Sequence, residues 1–186
     1  STSGTNVLWD FVELPSQLQE NWLYEPETLE LVSSHYETGE PIPRELIQKL
    51  KDSKNYMSGW GGLRQTTFSI LDMAFHNAPN PDLSDIIAFE DSAIEDCTFF
   101  ERLGGPSCVS FAHIFAGWYA AGYYSYKWAE VVDADAFEDL KEKGLYDQST
   151  AKKYREMILE KGGSKDPAEL YRDFRGRDAD PKALFR

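Results

Sequence analysis

The sequence predicts a mainly α-helical fold with very little strand, on the basis of three observations. Apolar residues recur at helical spacing, as in the series Phe11, Leu14, Leu18 and Trp22. Helix signals punctuate the chain, notably the capping box Asp166-Pro-Ala-Glu169 and the stop at Gly144 after two lysines. No useful stretch alternates apolar and polar residues with the period of two that a half-buried strand shows. We therefore expect a single helical domain over residues 1–186.

The individual helices follow from these patterns in chain order. The first is predicted over residues 10–24, beginning close to residue 10 because Pro15 is tolerated only in a first turn. Further helices are predicted over residues 27–36, 44–55, 63–77 and 82–97, with a bend at 57–62. Residues 107–118 are predicted to form a loop, followed by a helix to about 144. A helix capped by Ser149 or Thr150 and a last helix from Pro167 complete the chain.

Composition restricts the class of function. Lysine plus arginine is 19 and aspartate plus glutamate is 32, so the net charge is −13. This charge opposes binding to nucleic acid or to an anionic membrane surface. No apolar run approaches the ~20 residues that span a bilayer, and the first residues lack the basic and apolar regions of a signal peptide. With only two cysteines and no disulfide framework, we expect a protein of the reducing cytoplasm.

The stretch from His113 to Trp128, HIFAGWYAAGYYSYKW, is the most aromatic in the chain. If it is helical after Gly117, Tyr119, Tyr123 and Tyr126 form one stripe at i, i+4 and i+7. The opposite face is then predicted to pack, and it consists of Gly117, Ala121, Tyr124 and Trp128. The pattern alone favours a core stripe and a structural histidine, because a period defines a face and not a chemistry.

Three groups of residues resemble the thimet oligopeptidase family of zinc peptidases, in the family's order. The first is Asp10-Phe-Val-Glu-Leu-Pro-Ser-Gln. The second is His113-Ile-Phe-Ala-Gly with Tyr119-Ala-Ala-Gly-Tyr-Tyr-Ser-Tyr126 and Trp128, and the third is Phe174-Arg-Gly-Arg-Asp178. The resemblance runs from Thr5 to Leu184 and implies the C-terminal portion of a zincin-type catalytic domain. Trp118 departs from the pattern, since a second glycine is usual there; this predicts a stiffer loop or a different contact with peptide.

The resemblance also implies roles for particular residues. Glu13 matches the family's third zinc ligand, and we infer from the helix face that Asp10 and Glu20 orient the ligands. On residue pattern alone, these carboxylates form an ordinary solvated helix face. Tyr126 is the leading donor to the oxyanion, and Tyr119 is the second. His113 is expected to contact substrate or transition state, and the substrate-binding positions are Tyr123, Gly117 and Gly122.

The zinc site is expected to be incomplete in this chain. In the family, two histidine ligands and the general base lie in an H-E-x-x-H helix upstream of the ligand glutamate. The three histidines here, His35, His76 and His113, form no such motif. We therefore expect the C-terminal part of an enzyme that cleaves short peptides, inactive alone and prone to self-association through apolar surface. The alternative is a catalytically silent helical interaction module. The sequence leaves open whether such an enzyme cuts internally or releases dipeptides.

Overall fold

A computed structural model describes residues 5–185 of the chain. In that range the α-helices are α1 (Trp9–Val12), α2 (Leu14–Glu20), α3 (Pro26–Val32), α4 (Arg44–Asn55), α5 (Ser58–Asn77), α6 (Ile86–Ala93), α7 (Ala112–Phe115), α8 (Ser125–Lys143), α9 (Gln148–Tyr154) and α10 (Pro167–Arg175). Short 3-10 helices lie at Asn21–Tyr24, Glu95–Cys97, Ser107–Val109, Gly162–Ser164 and Pro181–Phe185, and a π-helix at Arg155–Leu159. Residues 5–185 contain no strand, so the predicted mainly α class is confirmed.

The backbone divides into two compact units. The first consists of the residues up to Ser58 and from Trp128 onward, and the second is Gly59–Lys127. The assignment of residues 1–186 to a single domain stays a prediction. In residues 5–185, no helix combines the length and the apolar character that crossing a membrane would demand.

The core of the first unit is built from the apolar faces of α1, α2, α8, α10 and the π-helix Arg155–Leu159. Its buried members are Phe11, Leu14, Leu18, Val132, Ala136, Phe137, Leu140, Ile158, Leu170, Tyr171 and Phe174. Trp22 packs edge-on against Phe137, with ring centroids 5.0 Å apart. The apolar series that predicted the first helix is therefore the series that reaches this core.

The helix predicted over residues 10–24 is wrong in its continuity. The chain forms α1, breaks at Glu13, and continues as α2 and the 3-10 helix Asn21–Tyr24. Proline lacks the amide that an interior helical turn needs, and the break places Pro15 in the first turn of α2. The apolar side chains keep a common direction across the break, so Phe11 and Leu14 are both buried.

Several other predicted boundaries are corrected by local contacts. The predicted bend at 57–62 is instead the start of α5, where Trp60 packs against Phe100 with ring centroids 5.3 Å apart. The turn is confined to Tyr56 and Met57, and the φ of Met57, 54°, is left-handed. α6 begins later than predicted because Asp85 caps it and accepts a hydrogen bond from the amide of Ala88. α3 ends early at Val32, and Asp147 caps α9 in place of Ser149 or Thr150.

The capping box and the glycine stop are confirmed. Asp166 accepts hydrogen bonds from the amides of Ala168 and Glu169 at the start of α10, with Pro167 in the first turn. α8 ends at Lys143, and Gly144 follows with a left-handed φ of 106°.

The tyrosine segment departs most from its predicted structure. α8 begins at Ser125, and residues 120–124 form turns. Ala121 has a left-handed φ of 55°, which a continuous right-handed helix excludes. The predicted division into faces is wrong as well. Tyr124 and Trp128, expected to pack, are 48% and 44% exposed, whereas Tyr123 is buried.

Buried ions join α8 to α10 in the first unit. The fully buried carboxylate of Asp135 receives hydrogen bonds from Tyr171, Arg175 and Arg177, and Arg175 also pairs with Asp139. Burial raises the pKa of Asp135, but these donors lower it below its ordinary value. Arg172 pairs with Asp178 at the surface. Arg172, Arg175 and Arg177 are thus all engaged within the unit.

We predict that Arg175→Met lowers the free energy of unfolding by about 3–5 kcal/mol, because it leaves the Asp135 carboxylate buried without its main cation. Arg172→Met is the matched control, since this side chain is half exposed and such pairs contribute about 1 kcal/mol or less. Urea unfolding of both variants measures the difference. Equal losses of unfolding free energy in the two variants would contradict a larger stabilisation by the buried ion pairs than by the exposed one.

Candidate functional site

One face of α5 supports the tyrosine segment. Gln65, Phe68 and Asp72 are spaced i, i+3 and i+7 along this helix, so they share a face. Each of them contacts the segment that follows α7. The tyrosine segment and the three α5 residues that contact it therefore all lie in the second unit, Gly59–Lys127.

Six aromatic side chains of the second unit gather around this face. We call this group the tyrosine cluster: Phe68, Phe111, His113, Tyr119, Tyr123 and Tyr126. The Tyr126 ring lies 5.0 Å from Tyr119 and 5.1 Å from Tyr123, centroid to centroid. The imidazole of His113 lies 6.1–6.3 Å from the three phenol rings. The residues that the sequence analysis proposed for catalysis are therefore neighbours, although the helix that was expected to align them does not form.

Tyr123 is the buried member of the tyrosine cluster. It is 8% exposed, and its ring packs edge-on against Phe68 and Phe111. Its hydroxyl donates to Oε1 of Gln65 at 3.0 Å. Burial, and then the nearby Tyr126, raise the pKa of Tyr123, with Arg64 opposing them, so the phenol stays a neutral donor.

The other polar members are more accessible. Tyr119 and Tyr126 are half-buried, and His113 is exposed. A phenol can donate one hydrogen bond and accept others, and imidazole can do either depending on its protonation. The accessible edge of the cluster therefore offers two phenol hydroxyls and one imidazole within a small area.

The turn between His113 and the tyrosines requires a glycine. An added Cβ at Gly117 would lie 2.8 Å from the backbone oxygen of His113, closer than a carbon can approach. At Gly122 the nearest such contact is 3.5 Å, an ordinary van der Waals distance. The role of both glycines in binding substrate stays a prediction, but only Gly117 is required by close approach.

A buried carboxylate fixes the chain just before His113. Glu90 on α6 is fully buried and accepts hydrogen bonds from the amides of Ser107 and Cys108 at 2.9 and 2.8 Å. Arg102 pairs with the same carboxylate at 3.0 Å. Burial and the neighbouring Glu90 raise the pKa of the Cys108 thiol to about 11. This thiol is consequently protonated near neutral pH and is not a nucleophile.

The predicted zinc ligand, Glu13, lies in the first unit. It is half-buried at the break between α1 and α2, and Ser16 Oγ donates to its Oε2 at 3.0 Å. Asp10 is half-buried and Glu20 is exposed. Meeting of Glu13 with the tyrosines in one cavity stays a prediction.

The described side chains do not complete a metal site. Across residues 5–185, no group of three or more histidine, cysteine, aspartate or glutamate side chains is arranged to hold a metal ion. Zinc sites in proteins use three or four protein ligands, so Glu13 alone does not fit the requirement.

Comparison with known proteins decides the family. A model of peptidase family M3 matches residues 1–186. The chain belongs to peptidase family M3. It is 43% identical to oligopeptidase A of Escherichia coli and 42% identical to the organellar oligopeptidase A of Arabidopsis thaliana, in each case over 97% of this chain. It is also 35% identical to the dipeptidyl carboxypeptidase of E. coli over 94% of the chain.

This M3 chain spans about a quarter of the length of these relatives, namely 27%, 24% and 26%. The resemblance drawn from the sequence is thus confirmed at the level of the family. The roles of individual residues are not tested by these similarities.

Sequence patterns alone do not identify the residues that support the tyrosine segment and the chain before it. These residues are Gln65, Phe68, Asp72 and Glu90. The sequence does show that a polar residue, an aromatic residue and a carboxylate share one face of the helix, at i, i+3 and i+7. The sequence does not show which segment that face contacts, because the contacting residues are 49–58 positions apart in the chain.

We predict that Gly117→Ala is more damaging than Gly122→Ala. The first change forces a carbon against the His113 carbonyl oxygen and should cost about 1–3 kcal/mol of unfolding free energy. The second change meets only ordinary contacts, at a position outside the left-handed region, and should cost about 1 kcal/mol or less. Thermal unfolding of both variants checks the order, and a larger loss for Gly122→Ala would show that the turn is built differently.

Proposed function

We propose that this M3 chain contributes the substrate-contacting tyrosines and one zinc ligand to a zinc-dependent oligopeptidase that hydrolyses short peptides. The observation that carries the proposal is the tyrosine cluster, in which the tilted rings of Tyr119 and Tyr126 lie 5.0 Å apart, centroid to centroid, beside the imidazole of His113. Hydrolysis of a peptide bond passes through a tetrahedral oxyanion, which donors fixed in advance stabilise better than water does.

Each member of the cluster is given a distinct task. Tyr126 is the leading donor to the oxyanion and Tyr119 the second, because their hydroxyls belong to half-buried side chains at the accessible edge. His113 contacts the substrate or the transition state from the loop that Gly117 closes. The hydroxyl of Tyr123 is occupied by Gln65, so Tyr123 lines the cleft with its ring and holds its neighbours in place.

Glu13 supplies one carboxylate oxygen to the zinc ion in this proposal. When bound, zinc polarises the scissile carbonyl and lowers the pKa of its water. The resemblance assigns the other ligands and the general base to an H-E-x-x-H helix, and this sequence contains no such motif. Asp10 and Glu20 are proposed to orient Glu13 and its partners.

Short peptides are the proposed substrates, in keeping with the names of the relatives, oligopeptidase A and dipeptidyl carboxypeptidase. The net charge of −13 argues against nucleic acid and anionic membranes as partners.

We predict that Tyr126→Phe lowers kcat by about 10²–10³-fold without changing zinc content, because it removes one oxyanion donor. The assay uses a chimera in which this chain replaces the matching quarter of E. coli oligopeptidase A, with a fluorogenic peptide as substrate. Tyr124→Phe is the matched control, since this neighbouring phenol is 48% exposed and forms no ring contact with His113 in the described structure. A Tyr126→Phe chimera of normal rate would refute the assignment.

The alternative of a catalytically silent interaction module is favoured by one observation for the chain alone. Large apolar side chains are exposed in the loop after α6, with Phe99, Phe100 and Leu103 at 74%, 68% and 98%. Exposed apolar residues of this kind promote association. Under the peptidase proposal, these 186 residues alone bind no stoichiometric zinc, cleave no peptide and self-associate.

Metal analysis, peptide cleavage and sedimentation of the 186-residue chain test this expectation. We expect less than about 0.1 zinc per chain, because a single carboxylate does not retain the ion against water. One zinc per chain, or cleavage by the chain alone, would contradict the expectation that these 186 residues form an incomplete zinc site. Inactivity of the chimera as well would favour the interaction module.

A further inference from the structure

Asp72 is a buried charge in the middle of α5. Its side chain is fully buried, and a carboxylate removed from water is costly unless donors surround it. Oδ1 accepts a hydrogen bond from the amide of Ala121 at 2.8 Å, and Oδ2 accepts one from the amide of Tyr123 at 2.8 Å. The imidazole Nδ1 of His76 lies 2.9 Å from Oδ1 and 2.8 Å from the Asp72 carbonyl oxygen. Each carboxylate oxygen thus receives one backbone amide from the same turn.

The turn that supplies these amides has an unusual backbone. Ala121 has a φ of 55°, a left-handed conformation that costs a non-glycine residue about 1–2 kcal/mol. Backbone amides of a turn can point to one side and form a concave site for an anion. Here the anion is the side chain of Asp72, supplied by a separate helix. The turn and the charge therefore depend on each other.

The same turn fixes the tyrosines on both of its sides. Tyr119 precedes it, Tyr123 lies within it, and Tyr126 is in the first turn of α8. The Tyr123 ring is anchored to α5 through Phe68, and its hydroxyl through Gln65. Asp72 holds the backbone of the segment while these two residues hold the side chain.

We propose that Asp72 is a positioning residue of the tyrosine cluster. By binding the amides of Ala121 and Tyr123, its carboxylate prevents residues 119–124 from continuing α8 as a regular helix. This sets where Tyr119 and Tyr126 present their hydroxyls. The catalytic part of this inference depends on the proposed oxyanion role of Tyr126, whereas the structural part does not.

Glu90 provides a matched control within the same unit. It is also fully buried on a helix, and it also accepts two backbone amides, those of Ser107 and Cys108. The two carboxylates differ in the segment that they hold. A general loss of stability would affect both variants alike, but a positioning role for Asp72 predicts changes confined to the tyrosine turn.

The first experiment measures amide hydrogen exchange by NMR in the 186-residue chain and in the variants Asp72→Asn and Glu90→Gln. Asp72→Asn keeps the volume but turns one acceptor into a donor facing an amide. We expect exchange of the Ala121 and Tyr123 amides to speed up at least about tenfold, while Ser107 and Cys108 keep their protection. Glu90→Gln should give the opposite pattern. Unchanged protection at Ala121 and Tyr123 in Asp72→Asn would overturn the proposal.

The unmodified chain gives a second test if Asp72→Asn does not fold. The Ala121 and Tyr123 amides should be protected from exchange, and their protons shifted downfield as expected for donors to a carboxylate. Exchange at the rate of an unprotected amide would overturn the proposal without any variant.

The second experiment is a double-mutant cycle in the chimera with oligopeptidase A. Displacing a catalytic group by about 1 Å can cost ~10²-fold, so Asp72→Asn should lower kcat by about 10- to 100-fold with zinc content unchanged. If Asp72 acts through Tyr126, the loss caused by Asp72→Asn should shrink at least about threefold in the Tyr126→Phe background. An equal loss in both backgrounds would overturn the positioning role.

The two readouts separate the two proposals. Normal activity of Tyr126→Phe would refute the oxyanion role of Tyr126 but would leave the exchange experiment to decide whether Asp72 holds the turn. Normal protection in Asp72→Asn would refute the positioning role whatever the activity of Tyr126→Phe.

Discussion

A buried carboxylate that must find donors is the constraint on which the second unit depends. Asp72 lies on α5 away from water, and backbone amides of Ala121 and Tyr123 provide two of its partners. An unpartnered charge at this depth would cost several kcal/mol, more than a single left-handed alanine does. The left-handed conformation of Ala121 therefore costs less free energy than leaving the carboxylate without partners. It also brings the tyrosines on either side of the turn into one cluster.

Two other buried carboxylates of this M3 chain also receive hydrogen bonds from segments remote in sequence. Glu90 accepts the amides of Ser107 and Cys108, and Asp135 receives two arginines and a phenol. In each case a helix presents a carboxylate to donors from a segment remote in sequence. These pairings stabilise one arrangement over the many that apolar contacts alone would tolerate, because hydrogen bonds to a buried charge are directional.

A supported cluster of this kind suits the chemistry proposed for it. Stabilisation of a developing negative charge requires donors that are already in place, since moving them during the reaction would consume the gain. Tyr123 donates its hydroxyl to Gln65 and so contributes rigidity, while Tyr119 and Tyr126 are half-buried at the edge of the cluster. In the proposed function the cluster takes a role in peptide hydrolysis, and Glu13 is the zinc ligand proposed for this chain.

The sequence by itself determined the mainly α class, the apolar series from Phe11 to Trp22, the cap at Asp166, and the family through its aromatic segment. These features depend on residues close together in the chain, where the helical period and cap chemistry act. Only the tertiary structure decided that Tyr123 is buried, that the tyrosine segment turns, and that Asp72 holds it. The reason is physical. The amides that Asp72 binds lie 49 and 51 residues away, and no local period encodes which buried charge will meet which backbone.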